Sequence, residues 1–169
     1  MKPRLPRPKP LPIEPGQRSV WDFPRPPAIE LESRHVRAEF AGVIIASSNR
    51  CVKVLETSHP PVYFFPPEDC NAEALRRTGN TSFCEWKGEA EDFDVGVGDR
   101  VAQGVAFAYP RPTKRFADYA GWLSMYAGPM DVCYVGDDRV EPQPGGFYSG
   151  WITPDDVGPF KGIEGSWGW

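Results

Sequence analysis

Metal-ligating and cross-linking residues are scarce in this chain, which has four Cys and two His in 169 residues. Cys51, Cys70, Cys84 and Cys133 are far apart, with no Cys-x-x-Cys pair. That excludes a zinc knuckle and favours free thiols in a reducing compartment over a disulfide frame. His35 and His59 add too little for a structural zinc site, so no bound metal is expected. Long apolar runs are missing as well. No window holds the ~18 apolar residues of a membrane span, and the N-terminal segment lacks the apolar middle of a secretory signal, so a soluble, cytoplasmic protein is expected. Nor is there an excess of positive charge. With a net charge of -4 the chain has no large phosphate-binding footprint, which excludes nucleic acid as an expected partner.

What is plentiful is Pro (20), Gly (17) and aromatic side chains (13% of residues), in a chain that is 40% hydrophobic. This is too much Pro and Gly for a helical bundle and fits short strands joined by turns. The length suits one domain with a true core. Residues 1–27 form a Pro-rich arm with polyproline character, anchored by Trp21 and Phe23 in Ser19-Val-Trp-Asp-Phe-Pro24. Residues 28–142 carry the β pattern: a hairpin from Val36 to Ala46, a strand Cys51–Leu55, a short strand Val62–Phe65 isolated by prolines, and a second hairpin around Gly98-Asp99. Glu68 to Arg77 reads equally as a short helix or an irregular strand, Phe116 to Trp122 as a short helix, and Leu123–Ala127 and Asp131–Val135 as closing strands. Residues 143–169 are a Gly- and aromatic-rich tail that packs on the domain or on a second subunit. Its load of Phe147, Tyr148, Trp151, Phe160, Trp167 and Trp169 makes a homodimer the expectation.

Chemistry concentrates in Leu55-Glu-Thr-Ser-His-Pro-Pro61, where a carboxylate, two hydroxyls and an imidazole stand before a stiff Pro-Pro step and an aromatic strand. Polar groups at the edge of so apolar a run acquire shifted pKa values and anchor ligands. Glu56-x-x-His59 has the spacing that joins two metal ligands on a helix, but Pro60-Pro61 argues against a helix there. Cys84 has Lys87 near it as a group that lowers a thiol pKa, against the plainer reading of a small buried hydrophobe. Lys87 and Lys161 each precede Gly, so backbone and ammonium can approach an anion together. Neither lies in a phosphate loop.

Four motifs together carry a resemblance. Val54-Leu-Glu-Thr-x-x-Pro-Pro-x-Tyr-x-x-Pro66, Cys84-x-x-Lys-Gly88, Ala106-x-x-Tyr-Pro-x-Pro112 and the pair Tyr126 and Asp131 resemble the domain of unknown function 427 family. The Ser-Val-Trp-Asp leader and the Gln143-Pro-Gly-Gly-Phe-Tyr148 tail are similar to its longer bacterial and cyanobacterial form. The resemblance implies a compact, mainly β domain of short antiparallel strands of the β-tent kind, and it brings no reaction and no cofactor. The family is also catalogued as nucleotidyltransferase-like. Such enzymes place Gly-Ser before a strand bearing Asp-x-Asp that holds two Mg²⁺. Here Gly79-Asn80 precedes Asp92-Phe-Asp94, the Ser is missing, and an exposed strand face is the better account.

Two functions from different classes follow. In the first, the Glu56–His59 and Cys84–Gly88 motifs form a cleft that binds a small molecule, with Glu56, His59, Cys84 and Lys87 as candidate catalytic residues. Thr57, Ser58, Tyr63, Trp86, Tyr109, Tyr126 and Tyr148 are the candidate ligand contacts. In the second, the Pro-rich arm and aromatic tail form a non-enzymatic interaction module.

Overall fold

The computed structural model describes residues 2–169. Along the chain the strands are β1 (Arg18–Ser19), β2 (Ala28–Leu31), β3 (Val36–Phe40), β4 (Val43–Ser48), β5 (Val52–Leu55), β6 (Val62–Phe64), β7 (Leu75–Cys84), β8 (Gly88–Val97), β9 (Arg100–Pro112), β10 (Leu123–Met125), β11 (Val132–Val135), β12 (Asp138–Arg139), β13 (Glu141–Pro142), β14 (Trp151–Ile152) and β15 (Asp156–Val157). The helical pieces among the described residues are short 3-10 turns, so the chain is mainly β, as its Pro and Gly content implies. None is long and apolar enough to cross a membrane.

The strands form several small sheets rather than one barrel. Two have four strands, in the orders β10-β9-β8-β7 and β12-β11-β3-β4; a third has the order β2-β5-β6. β13 pairs with β14 and β1 with β15, the last being parallel. The first hairpin turns on Ala41-Gly42, both at positive φ (51° and 76°), a conformation that matches strand twist in a two-residue loop. Along β3 the side chains alternate, so Val36, Ala38 and Phe40 enter the core while Arg37 and Glu39 stay partly exposed. Glu68 to Arg77 is neither one helix nor one strand. Two 3-10 turns, Pro67–Asp69 and Ala72–Ala74, lead into β7. β7 escapes a pattern reading because Arg76 to Ser82 has no large apolar side chain and is largely exposed, and it is held as a strand by pairing along β8.

The main core lies between the two four-stranded sheets, around Phe40, Ile45, Tyr63, Phe65, Val95, Met125 and Trp151. A second cluster, with Val54, Phe64, Tyr109 and Phe116, sits under the opposite face of the three-stranded sheet. A third joins arm to tail: Val20, Trp21 and Phe23 pack with Leu55 and Trp169. The arm runs beside the tail, with Leu5 N–H donating to Gly165 O (2.8 Å), Leu11 N–H to Gly158 O (3.0 Å) and the Trp169 indole to Pro6 O (3.1 Å). Trp151 and Trp169 are therefore covered by their own chain, at 0% and 8% exposed, and do not need a second subunit to leave water.

Candidate functional site

β5 ends at Leu55 and delivers Glu56 into a tight turn in which His59 N–H donates to Glu56 O (3.0 Å). Ser58 has φ 73° in this turn, where a glycine is usual, and its backbone is held from both sides by Val20 O and Lys161 N–H. The turn brings the first and fourth side chains together, so that His59 Nε2 lies 3.2 Å from Glu56 Oε2. This corrects the expectation that Glu-x-x-His spacing joins side chains only on a helix. A reverse turn closed by an i to i+3 hydrogen bond does the same work, and Pro60-Pro61 fits because the turn ends where they begin.

The proton on His59 is placed by its neighbours. Gly150 N–H donates to Gln143 Oε1 (3.0 Å), and Lys161 O accepts from Gln143 Nε2 (2.8 Å), so two backbone groups orient the amide. Gln143 Nε2 then donates to His59 Nδ1 (3.1 Å), which leaves Nε2 to carry the proton and donate it to Glu56. Burial pushes the Glu56 carboxyl up, but the His59 hydrogen bond, with the positive charges of Arg25 and Lys87, outweighs it and holds Glu56 below its ordinary range. In long-range ¹H–¹⁵N spectra His59 is expected to show the Nε2–H pattern, and Gln143→Leu to give a tautomer mixture. An unchanged pattern in the variant would mean that Glu56 alone sets the proton.

The second motif is the tip of the β7–β8 hairpin. Cys84 and Gly88 face each other across the ladder, with Glu85, Trp86 and Lys87 as the loop. Gly88 has φ 107°, and a Cβ there would meet Thr113 N at 3.2 Å, so glycine is required where the chain enters β8 against β9. Thr113 N–H also donates to Lys87 O (2.9 Å), which fixes the loop. The Lys87 Nζ stands 5.5 Å from the Phe64 ring centre and 5.4 Å from that of Tyr109. Burial holds its ammonium below the ordinary lysine range, although Cys84 and Glu56 pull the other way.

Glu56, His59, Cys84, Lys87, Tyr109, Tyr126 and Tyr148 all line one cleft of about 270 Å³, together with Val54, Val62, Phe107, Phe147, Ser149, Gln143 and Lys161. The cleft widens into a groove bordered by Phe83, Asp92 and Phe147. It leaves out four expected contacts. Tyr63 is 1% exposed in the core against Trp151, because its position on β6 points to the inner face. Thr57 donates its hydroxyl to Phe23 O, and the buried Ser58 hydroxyl accepts from Arg25 (3.4 Å), so both tie the turn to the arm. Trp86 lies on the other side of the hairpin, in a smaller pocket that Glu56 and Lys87 also reach, with Arg115 over its ring at 5.4 Å.

Ser149 and Phe107 come to the cleft without being named by a motif, and Gln143 only as the first residue of the tail motif. Phe107 left a trace, being two residues from Tyr109 on one strand and so on the same face. Of the Asp-x-Asp pair, Asp94 accepts from Gly104 N–H (2.7 Å) at an irregularity of the β8–β9 ladder, while Asp92 borders the groove and burial pushes its carboxyl up. Asp131 binds Arg100 (2.7 Å) and caps the Ala41 turn, which makes it a fold residue. Burial pushes the Cys70 and Cys133 thiols up to about 12, whereas Cys84 opens on the cleft.

Compared with known families, residues 28–136 match the model of a domain of unknown function (DUF427), a span that holds Glu56, His59, Cys84 and Lys87. No curated protein matches the chain.

Proposed function

From the premise that this chain belongs to the domain of unknown function 427 family, which assigns it no reaction, we propose that it binds a small planar or anionic molecule in the cleft and acts on it with Glu56 as the acid–base group. One observation carries the reading: Glu56 and Lys87, 31 positions apart in sequence, send a carboxylate and an ammonium into the same aromatic-walled cleft, with the carboxylate oriented by a histidine whose proton is itself positioned. Phe107, Tyr109, Tyr126 and Tyr148 offer flat apolar faces, and Lys87 and Lys161 offer positive charge for an anionic group. A carboxylate fixed by His59 and ionised at neutral pH suits a proton acceptor.

The test is a metabolite screen by thermal shift on the whole protein. A true ligand at about 100 times its Kd adds about 2.7 kcal/mol to the stability of the native state, and the gain should be lost in Lys161→Ala, which removes a positive charge facing the cleft. Stabilisation that persists in that variant, or none across anionic aromatic compounds, counts against the reading.

The rival reading as an interaction module is weakened by the arm's own hydrogen bonds to the tail, since a partner would have to displace them. Phe83, Phe147 and Trp167 are 76%, 68% and 46% exposed around the groove, so a homodimer would use these rings and not Trp151. The four free thiols suit the cytoplasm.

A further inference from the structure

We infer that Lys87 is a nucleophile for small carbonyl compounds, capturing an aldehyde or ketone carried on a flat apolar group as a Schiff base in the cleft. The inference rests on the binding cleft proposed above and names the class of compound it takes.

Lys53 and Lys87 differ in what surrounds their ammonium groups. Lys53 is 9% exposed and carries its own counter-ion, the Glu32 carboxylate at 3.0 Å. That is how a structural lysine is kept charged out of water. Lys2 and Lys53 are the lysines that make ion pairs among the described residues. Lys87 has aromatic faces beside its Nζ instead, at 5.5 Å and 5.4 Å, and open cleft on the remaining side. Burial in such a place disfavours the ammonium, so a larger share of the amine is free at neutral pH. The two rings attract an ammonium, yet they bring no counter-charge, so the Lys87 amine meets the cleft without the ion pair that holds Lys53, as suits a nucleophile.

The rest of the cleft supplies what imine formation needs. The Lys87 amine attacks the carbonyl carbon, and the C=O bond becomes a C–O single bond in a carbinolamine. Nitrogen then loses a proton, the hydroxyl gains one and leaves as water, and a C=N bond remains. No oxidant or reductant enters. Glu56, ionised and fixed through His59 Nε2–H, is the group placed to take the proton from nitrogen and deliver it to oxygen. The aromatic walls hold the flat part of the compound. Lys161, 5.4 Å from the Tyr148 ring centre, stands across the cleft to pair with a carboxylate on it.

The experiment uses 4-formylbenzoate with cyanoborohydride at pH 7, and 4-(hydroxymethyl)benzoate as its non-electrophilic analogue. Peptide mapping of the reduced protein should place the adduct on Lys87 at least ~10-fold above the exposed Lys2. Lys87→Arg should lose that adduct, and Glu56→Gln should slow its formation about 100-fold. If the alcohol stabilises the protein but the aldehyde labels Lys87 no faster than Lys2, the Schiff base is overturned and the binding cleft stands. If the alcohol gives no shift and Lys87 stays unlabelled, both are overturned for this class of compound.

Discussion

Replacing Trp151 with Ala is expected to lower the melting temperature by about 10 °C, at a cost of about 3–5 kcal/mol and about 2–4 °C per kcal/mol for a domain of this size. The side chain is fully buried, and its ring packs against Tyr63 (5.3 Å between centres) and Phe65 (6.1 Å). The indole N–H donates to Met125 O (2.8 Å), and its own backbone N–H donates to Pro61 O (2.8 Å). Truncation thus opens a cavity at the centre of the main core and leaves the Met125 carbonyl without its partner. Trp151→Phe should fall between, since it restores most of the packing but not that hydrogen bond. Calorimetry decides. A loss below about 1 kcal/mol for the Ala variant would mean that the tail is an addition to the core and not part of it.

The second large effect concerns a charge network under the three-stranded sheet. Glu32 is 3% exposed and receives Lys53 Nζ (3.0 Å) on one oxygen and Arg34 Nε (2.7 Å) on the other, while Arg34 also holds Asp155 (2.7 Å). Lys53→Met is expected to cost about 3 kcal/mol, the low end for a broken buried pair because Arg34 remains. Its pH dependence follows from the sign of the shift. Burial raises the Glu32 pKa, but the hydrogen bonds from Arg34 and Lys53 outweigh it and bring the carboxyl from 4.5 down to about 2. A carboxyl depressed in the folded state adds stability that is fully present above its unfolded value and is lost as pH falls through the folded one. The native protein should therefore lose this contribution between about pH 4.5 and pH 2. In the variant Glu32 titrates higher, so the stability gap should narrow on acidification. Urea unfolding at pH 7, 5 and 3 measures it, and a gap constant with pH would show that Lys53 acts through packing alone.

Much of the candidate site was readable because its chemistry is local in sequence. Glu56 and His59 sit in one turn, and Cys84 and Lys87 in one hairpin tip, so short-range spacing exposes both pairs. Tyr109 and Tyr126 were found through motif membership, and their arrival at the cleft is a matter of strand register on β9 and of its neighbour β10. Tyr63 and Ser58 show the limit. Both stand inside the most distinctive motif, yet one is turned into the core and the other ties the turn to the arm, because a strand and a tight turn send adjacent side chains in opposite directions.

Composition and local pattern were enough for the class of fold. Frequent Pro and Gly forbid long helices, alternation places Val36, Ala38 and Phe40 on one face, and Ala41-Gly42 closes the first hairpin whatever lies around it. These outcomes depend on φ, ψ and side-chain period, which each residue carries with it. Gln143 belongs to the opposite case. It opens the tail motif, but that motif says nothing of its role, which appears only when the tail folds across the domain and sets its amide between Gly150, Lys161 and His59. The polar β7 became a strand through its partner β8, and Lys87 acquired its surroundings from Phe64 on one sheet and Tyr109 on another. Contacts between residues as distant in the chain as Gln143 and His59, 84 positions apart, depend on how loops close and which surfaces meet, and single residues do not encode that.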